Sequence, residues 1–261
     1  MACGGAPAPA ARRAGPPLAA LGRAGAQAPR QQGVCPLRTG GATSQGICGK
    51  MKGAEMAGSG SNLQRAYALR SPEECLALYA DWAESYDADF AAAQGYMLPA
   101  RVAEAFVDGG APEGAVLDVG AGTGLVAQAL RGCGFAGRID GVDLSAEMLK
   151  VARGKGVYGA LVQADITRPL PAGCGPYAGI VSAGTFTHGH VGPEGLAPLM
   201  DVAAPGAVMV LSVNLEVWEA KDFEAALYGL AGRIATVERL DVPIYGAAEA
   251  GLARLLRLRL P

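Results

Sequence analysis

Histidine is scarce in this chain: only His188 and His190 occur among 261 residues. The six cysteines, Cys3, Cys35, Cys48, Cys75, Cys133 and Cys174, form no C-x-x-C pair and no Cys/His ligand cluster. That pattern gives no support to a zinc site or a disulfide framework, so no metal is expected and a reducing cytoplasm fits best. Long apolar runs are also missing. The longest uncharged apolar stretch spans Ala203 to Leu215, short of the ~18–20 residues needed to cross a bilayer, which argues against a membrane span. Aromatics are only 6% of the chain, so alanine and glycine supply its apolar excess.

What the chain has in abundance is glycine, 39 residues, and its charge is unevenly distributed. Residues 1–62 carry seven Lys/Arg and a single acid, Glu55, for a net charge of +6, whereas the remainder carries −8. The basic segment is rich in Gly, Ala and Pro and has no apolar periodicity, so it cannot offset its ordering entropy and is expected to be disordered. Few hydroxyl residues speak against a transit peptide, and arginines interrupt every candidate signal-peptide core. The remaining reading is an extension upstream of a start at Met51 or Met56. An acidic body without a basic stripe also argues against a nucleic-acid partner, because phosphates dominate such affinities. The organisation expected is an extension over 1–62 and one domain over 63–261, with helices in 63–110 forming a lid.

Within that domain Ser71-Pro72-Glu73-Glu74 reads as a helix start, with a Ser cap, an early Pro and a Glu three residues after the cap. Leu76, Tyr79, Trp82 and Tyr86 follow at spacings of three to four and share one face. A second helix is expected over Pro99–Val107. Beyond it, apolar runs at 115–119, 138–142, 160–163, 178–182 and 207–213 alternate with helical patterns near 124–130, from 145 and at 194–202. Near-continuous apolar strands alternating with helices predict a doubly wound α/β domain with a mostly parallel sheet. Residues 235–245 and 251–260 read as two strands joined by a short turn, an antiparallel hairpin at one side of the sheet.

The strongest local signal is Val116-Leu117-Asp118-Val119-Gly120-Ala121-Gly122-Thr123-Gly124. A strand feeds a glycine turn into a helix N-terminus, so backbone amides can approach a ligand closely. Nineteen residues after Gly124, the next strand ends in Asp143, where a carboxylate can accept hydrogen bonds from both hydroxyls of a ribose. The glycines run G-x-G-x-G rather than G-x-G-x-x-G, and Asp118 precedes the turn by two residues. A pyrophosphate would meet that carboxylate as a like charge, whereas an ammonium or sulfonium would meet an opposite one. A cationic adenosine-containing cofactor is expected.

At this level the sequence resembles the class I S-adenosylmethionine-dependent methyltransferases over roughly residues 72–261. The resemblance implies a seven-stranded Rossmann-like sheet with S-adenosyl-L-methionine as cofactor. It implies that Gly120, Ala121, Gly122 and Gly124 line the methionine end and that Asp118 lies behind the amino group, directly or through water. Asp143 would take the ribose, Leu144 and Met148 would pack on the adenine, and Asp165 and Ile166 of Gln163-Ala164-Asp165-Ile166 would contact its amino group and ring. Tyr79-Ala80-Asp81-Trp82-Ala83-Glu84-Ser85-Tyr86-Asp87 is most similar to the lid helix of the Williams–Beuren-region methyltransferase-like subgroup, with Tyr86 bordering the cofactor.

After the fourth strand comes Ser182-Ala183-Gly184-Thr185-Phe186-Thr187-His188-Gly189-His190, outside the carboxyl ends of the strands where ligands of open α/β sheets bind. Ser182 is placed with the cofactor contacts. His188 and His190 are candidate general bases for a hydroxyl or ammonium acceptor, since neutral imidazole accepts protons near pH 7. Their alternative is an ordinary loop role. The segment lacks the Asn/Asp-Pro-Pro-Tyr pattern of enzymes that methylate amide or exocyclic base nitrogens. The expected function is therefore methyl transfer to a small-molecule acceptor. A nicotinamide-dependent oxidoreductase and a non-catalytic cofactor-binding sensor are the alternatives.

Overall fold

The computed structural model describes residues 78–246 and 251–261. The basic extension over 1–62, the helix start at 71–74 with Leu76, and most of the turn between the last two strands lie outside the described residues.

Short β-branched and leucine-rich runs become the strands. β1 is Val116–Val119, β2 Ile139–Asp143, β3 Ala160–Gln163, β4 Tyr177–Phe186, β5 Ala203–Asn214, β6 Thr236–Pro243 and β7 Leu252–Arg259. They form one sheet in the order β3-β2-β1-β4-β5-β7-β6. β3, β2, β1, β4 and β5 pair in parallel, and β7 runs antiparallel to both β5 and β6. The expected hairpin is present, with its second strand inserted between β5 and its first. β6 is therefore an edge strand, and six of its eight residues are exposed.

The two-residue period of the strands divides the core. Leu117, Val119, Ile180, Met209 and Leu211 face one layer, where Leu196, Leu199, Trp218 and Phe223 cover them. Val116, Val181, Val208 and Val210 face the other, against Val102, Phe106, Val126 and Leu130. The helices are α1 (Leu98–Asp108), α2 (Leu125–Gly132), α3 (Ala146–Gly154), α4 (Leu196–Asp201), α5 (Leu215–Ala220) and α6 (Phe223–Gly229), and all but α3 supply these covers. On α1 the buried Val102, Ala103 and Phe106 recur at helical spacing and define its inner stripe. α3 begins at a Ser145 cap, whose hydroxyl accepts the Met148 N–H.

Three local readings need correction. β4 continues past Ser182 to Phe186, with a register irregularity between those residues. The Ser182 and Thr185 hydroxyls both lie on the Val119 carbonyl, at 2.8 and 3.0 Å, which holds the irregular segment against β1. β5 begins before its apolar run at 207–213, so Pro205-Gly206 lies inside the strand, where Gly206 at φ +74° takes up a second irregularity. The lid pattern does not run as one helix: residues 78–82 are helical, 83–85 turn, and Asp87–Ala92 form a π-helix.

Candidate active site

The turn after β1 and the ends of β2 and β4 open onto a cavity of about 370 Å³, closed on the opposite side by the lid segment and by residues 244–245. Chain geometry at the turn follows from its glycines. Gly120 adopts φ +63°, and a Cβ there would stand 2.0 Å from the Thr185 hydroxyl, so only glycine lets β1 turn beneath the β4 segment. The turn then presents the Gly122 N–H to Asp143, whose Oδ2 accepts it at 2.8 Å. The other oxygen, Oδ1, accepts the Ser145 N–H at 2.8 Å. A carboxylate has about four acceptor sites, so this one fixes the turn and the start of α3 while keeping acceptor capacity for a ligand. Burial raises the Asp143 carboxyl pKa, and its backbone hydrogen bonds to Ser145, Gly122 and Leu144 oppose the rise.

Of the residues expected to hold the cofactor, Tyr86, Gly120, Ala121, Gly122, Asp143, Leu144, Met148, Asp165 and Ile166 line this one cavity. Leu144 is 37% exposed, unusual for a large apolar side chain in this fold, and its exposed surface belongs to the cavity wall. Asp165 also caps its own turn, accepting the Thr167 N–H at 2.9 Å and the Thr167 hydroxyl at 2.7 Å. Those bonds hold its carboxyl below the usual range.

The wall does not include Asp118, Gly124 or Ser182. Strand alternation turns Asp118 to the face that Val116 occupies, behind the glycine turn, where it is fully buried. Its Oδ2 accepts the Tyr158 hydroxyl at 2.6 Å, while Oδ1 has no hydrogen-bond partner. Burial pushes its carboxyl up to about 7, partly countered by the Tyr158 bond. Ser182 is likewise buried, with its hydroxyl committed to the Val119 carbonyl. Gly124 caps α2 at φ +96°.

His188 and His190 both line the cavity. His188 Nε2 lies 3.2 Å from Glu216 Oε2. His190 Nδ1 lies 2.7 Å from the His188 carbonyl. A carbonyl only accepts, so Nδ1 carries the proton and the lone pair resides on Nε2. Burial, the largest influence, lowers the His190 pKa and favours the neutral ring.

Several wall residues had no sequence signal. Tyr96 and Tyr245, 149 positions apart, meet at an isolated antiparallel bridge. With Tyr79, Trp82, Tyr86 and Phe90 they make a chain of rings whose neighbouring centroids lie 4.9–6.2 Å apart. The lid is also tied to the glycine turn. Asp87 accepts the Thr123 hydroxyl at 2.5 Å and pairs with Lys155, which also donates to Gln128. The Tyr-Asp dipeptide marked the lid, but its partners are 36 and 68 residues away.

Residues 116–206 match a family model described as a methyltransferase domain. Human methyltransferase-like protein 27 is 32% identical over 158 residues, which cover 59% of this chain and 63% of that protein. The match thus spans just under two thirds of the relative's length. Among solved structures, the DhpI–SAH complex aligns over 71% of this chain and 95% of its own, at 20% identity and a TM-score of 0.51. An S-adenosylmethionine-dependent methyltransferase from Clostridium acetobutylicum ATCC 824 aligns over 69% and 98%, at 17% identity and a TM-score of 0.50. The sheet order with its terminal antiparallel pair and the glycine turn agree with that match, and residues 116–206 are similar to a methyltransferase domain.

Proposed function

We propose that the chain transfers a methyl group from S-adenosyl-L-methionine to a small-molecule acceptor. The observation that carries this reading is the Asp143 carboxylate, which fixes the Gly122 and Ser145 amides and keeps acceptor sites for ribose hydroxyls.

Bound S-adenosylmethionine would supply an electrophilic methyl on a sulfonium. The chain's own contribution is positional. Gly120, Ala121 and Gly122 would hold the methionine end, with Leu144, Met148, Asp165 and Ile166 at the adenine end. Tyr86, Trp82 and the other lid rings would cover the acceptor and exclude water. Methyl transfer is an in-line displacement, so holding the reacting atoms about 3 Å apart contributes most of what a protein can give. His190 Nε2 is the group suited to take the acceptor's proton, with His188 completing the same wall.

Residues 63–110 are read as the lid and 1–62 as an extension outside the catalytic domain. Among the described residues, no helix is long and apolar enough to cross a membrane. Cys133 and Cys174 are free thiols, which favours a cytoplasmic location. No nucleic-acid partner is proposed, because among the described residues the cavity wall carries no Lys or Arg. Calorimetry tests the cofactor: S-adenosylhomocysteine is expected to bind and NAD is not, and the reverse result would install the oxidoreductase. Labelled cofactor incubated with a metabolite extract tests catalysis, and persistent absence of labelled product despite binding would favour a sensor.

A further inference from the structure

The charge of the cavity wall restricts its second ligand. Among the described residues its formally charged side chains are Asp143, Asp165 and Glu194, and it contains no Lys or Arg. The nearest cations are paired at its margin, with Arg168 3.4 Å from the Asp165 carboxylate. Lys155 is bound to Asp87 and Gln128, and Lys221 lies 3.5 Å from the His190 carbonyl. A carboxylate or phosphate entering this space would meet carboxylates of like charge and, among the described wall residues, no cationic side chain.

The lid side adds a positive preference. Tyr79 lies 6.2 Å from Trp82 and 6.0 Å from Tyr86, and Trp82 lies 5.1 Å from Tyr86, centroid to centroid. His190 stands edge-on to Tyr79 at 5.5 Å. Indole and phenol faces carry negative potential that attracts ammonium groups, more strongly where water is excluded. A proton acceptor therefore stands against the same rings that would hold a cation.

Building on the methyltransferase reading, we infer that the acceptor is a small amine, held as an ammonium against the Tyr79, Trp82 and Tyr86 rings and deprotonated by His190. The ammonium gives one proton to His190 Nε2 and becomes a neutral amine. Its nitrogen lone pair forms the bond to the methyl carbon as the carbon–sulfur bond breaks. That bonding pair stays on sulfur as a thioether, and the product leaves as a methylammonium. No oxidant or further reactant is needed.

The test is calorimetric binding of skeleton-matched pairs, such as phenethylamine with 3-phenylpropionate and cyclohexylmethylamine with cyclohexylacetate, with and without S-adenosylhomocysteine. Amines are expected to bind at least about tenfold tighter than their carboxylate partners. Tyr79→Phe should keep that preference, whereas Tyr79→Leu, at a half-buried position, should reduce it several-fold. No amine preferred over its carboxylate, or a preference indifferent to Tyr79→Leu in a folded variant, overturns the inference. Failure of S-adenosylhomocysteine to bind would instead overturn the methyltransferase reading, because the amine and carboxylate titrations without it are read independently.

Discussion

Replacing Asp143 by Asn isolates the role of a single carboxylate while keeping its shape. Both oxygens now accept a backbone N–H at 2.8 Å, from Gly122 and from Ser145. The amide keeps one acceptor oxygen and turns an NH₂ donor towards the other N–H, so one of the two bonds must fail. Losing a charge-assisted bond and leaving a partly buried donor without a partner costs about 1–3 kcal/mol. A ribose bound at the same group would lose an acceptor as well, for a similar amount. Since 1.4 kcal/mol is tenfold in affinity, S-adenosylhomocysteine should bind roughly 5- to 150-fold more weakly. Calorimetry reads that change directly. A thermal melt of the same sample should show a loss of about 1–3 kcal/mol from the loosened turn, with circular dichroism confirming the fold. A dissociation constant within twofold of the parent protein would refute the assignment of Asp143 to the cofactor.

Asp87→Ala removes the partner of Thr123 and Lys155; because Asp87 is partly exposed, stability should fall by only about 1 kcal/mol. Hydrogen exchange of residues 86–92 should nevertheless accelerate, and unchanged exchange would show that the tie does not hold the lid. Gly120→Ala sets a Cβ 2.0 Å from the Thr185 hydroxyl at φ +63°. The left-handed backbone alone costs about 1–2 kcal/mol, so thermal stability and cofactor affinity should both fall, and a variant with neither loss would disprove the turn geometry. The Asp118 carboxyl is raised from 3.8 to about 7, so between those values the folded state holds a proton that the unfolded state has released. Its contribution to stability is present at low pH and declines as pH rises towards 7, by up to about 4 kcal/mol. Melts from pH 4 to 8 should show the stability of Asp118→Asn gaining on that of the parent as pH rises, and a pH-independent difference would contradict the buried, neutral acid.

Periodicity and local motifs made much of this fold legible. Strands β1 to β3 lie within about one residue of their apolar runs, and the glycine turn with Asp143 marked the cavity. Legibility failed where distant contacts decide the outcome. Nothing local says that β4 reaches Phe186, because Ser182 and Thr185 hold it there through the Val119 carbonyl. Residues 215–229 fold as two short helices because Val217, Trp218, Phe223 and Leu227 find the sheet's lower layer. Asp118 is instructive in another way. Its alternation with Leu117 and Val119 already contained its direction, away from the face those residues share. The pairing of Tyr96 with Tyr245 has no local trace at all.

That pairing also divides the molecule by inheritance. The matched domain spans residues 116–206 and contains Gly120, Gly122, Asp143, Asp165 and both histidines. Tyr79, Trp82, Tyr86, Phe90, Tyr96 and Tyr245 all fall outside it, on two flanking stretches that meet at the cavity and through the packing of α1 on β5 and β7. Under the proposed function, the glycine turn and Asp143 of the cofactor cradle lie within the matched domain, and the aromatic wall lies outside it. Exchanging both flanks together between relatives would replace the aromatic wall as a unit, whereas exchanging one would leave half a wall.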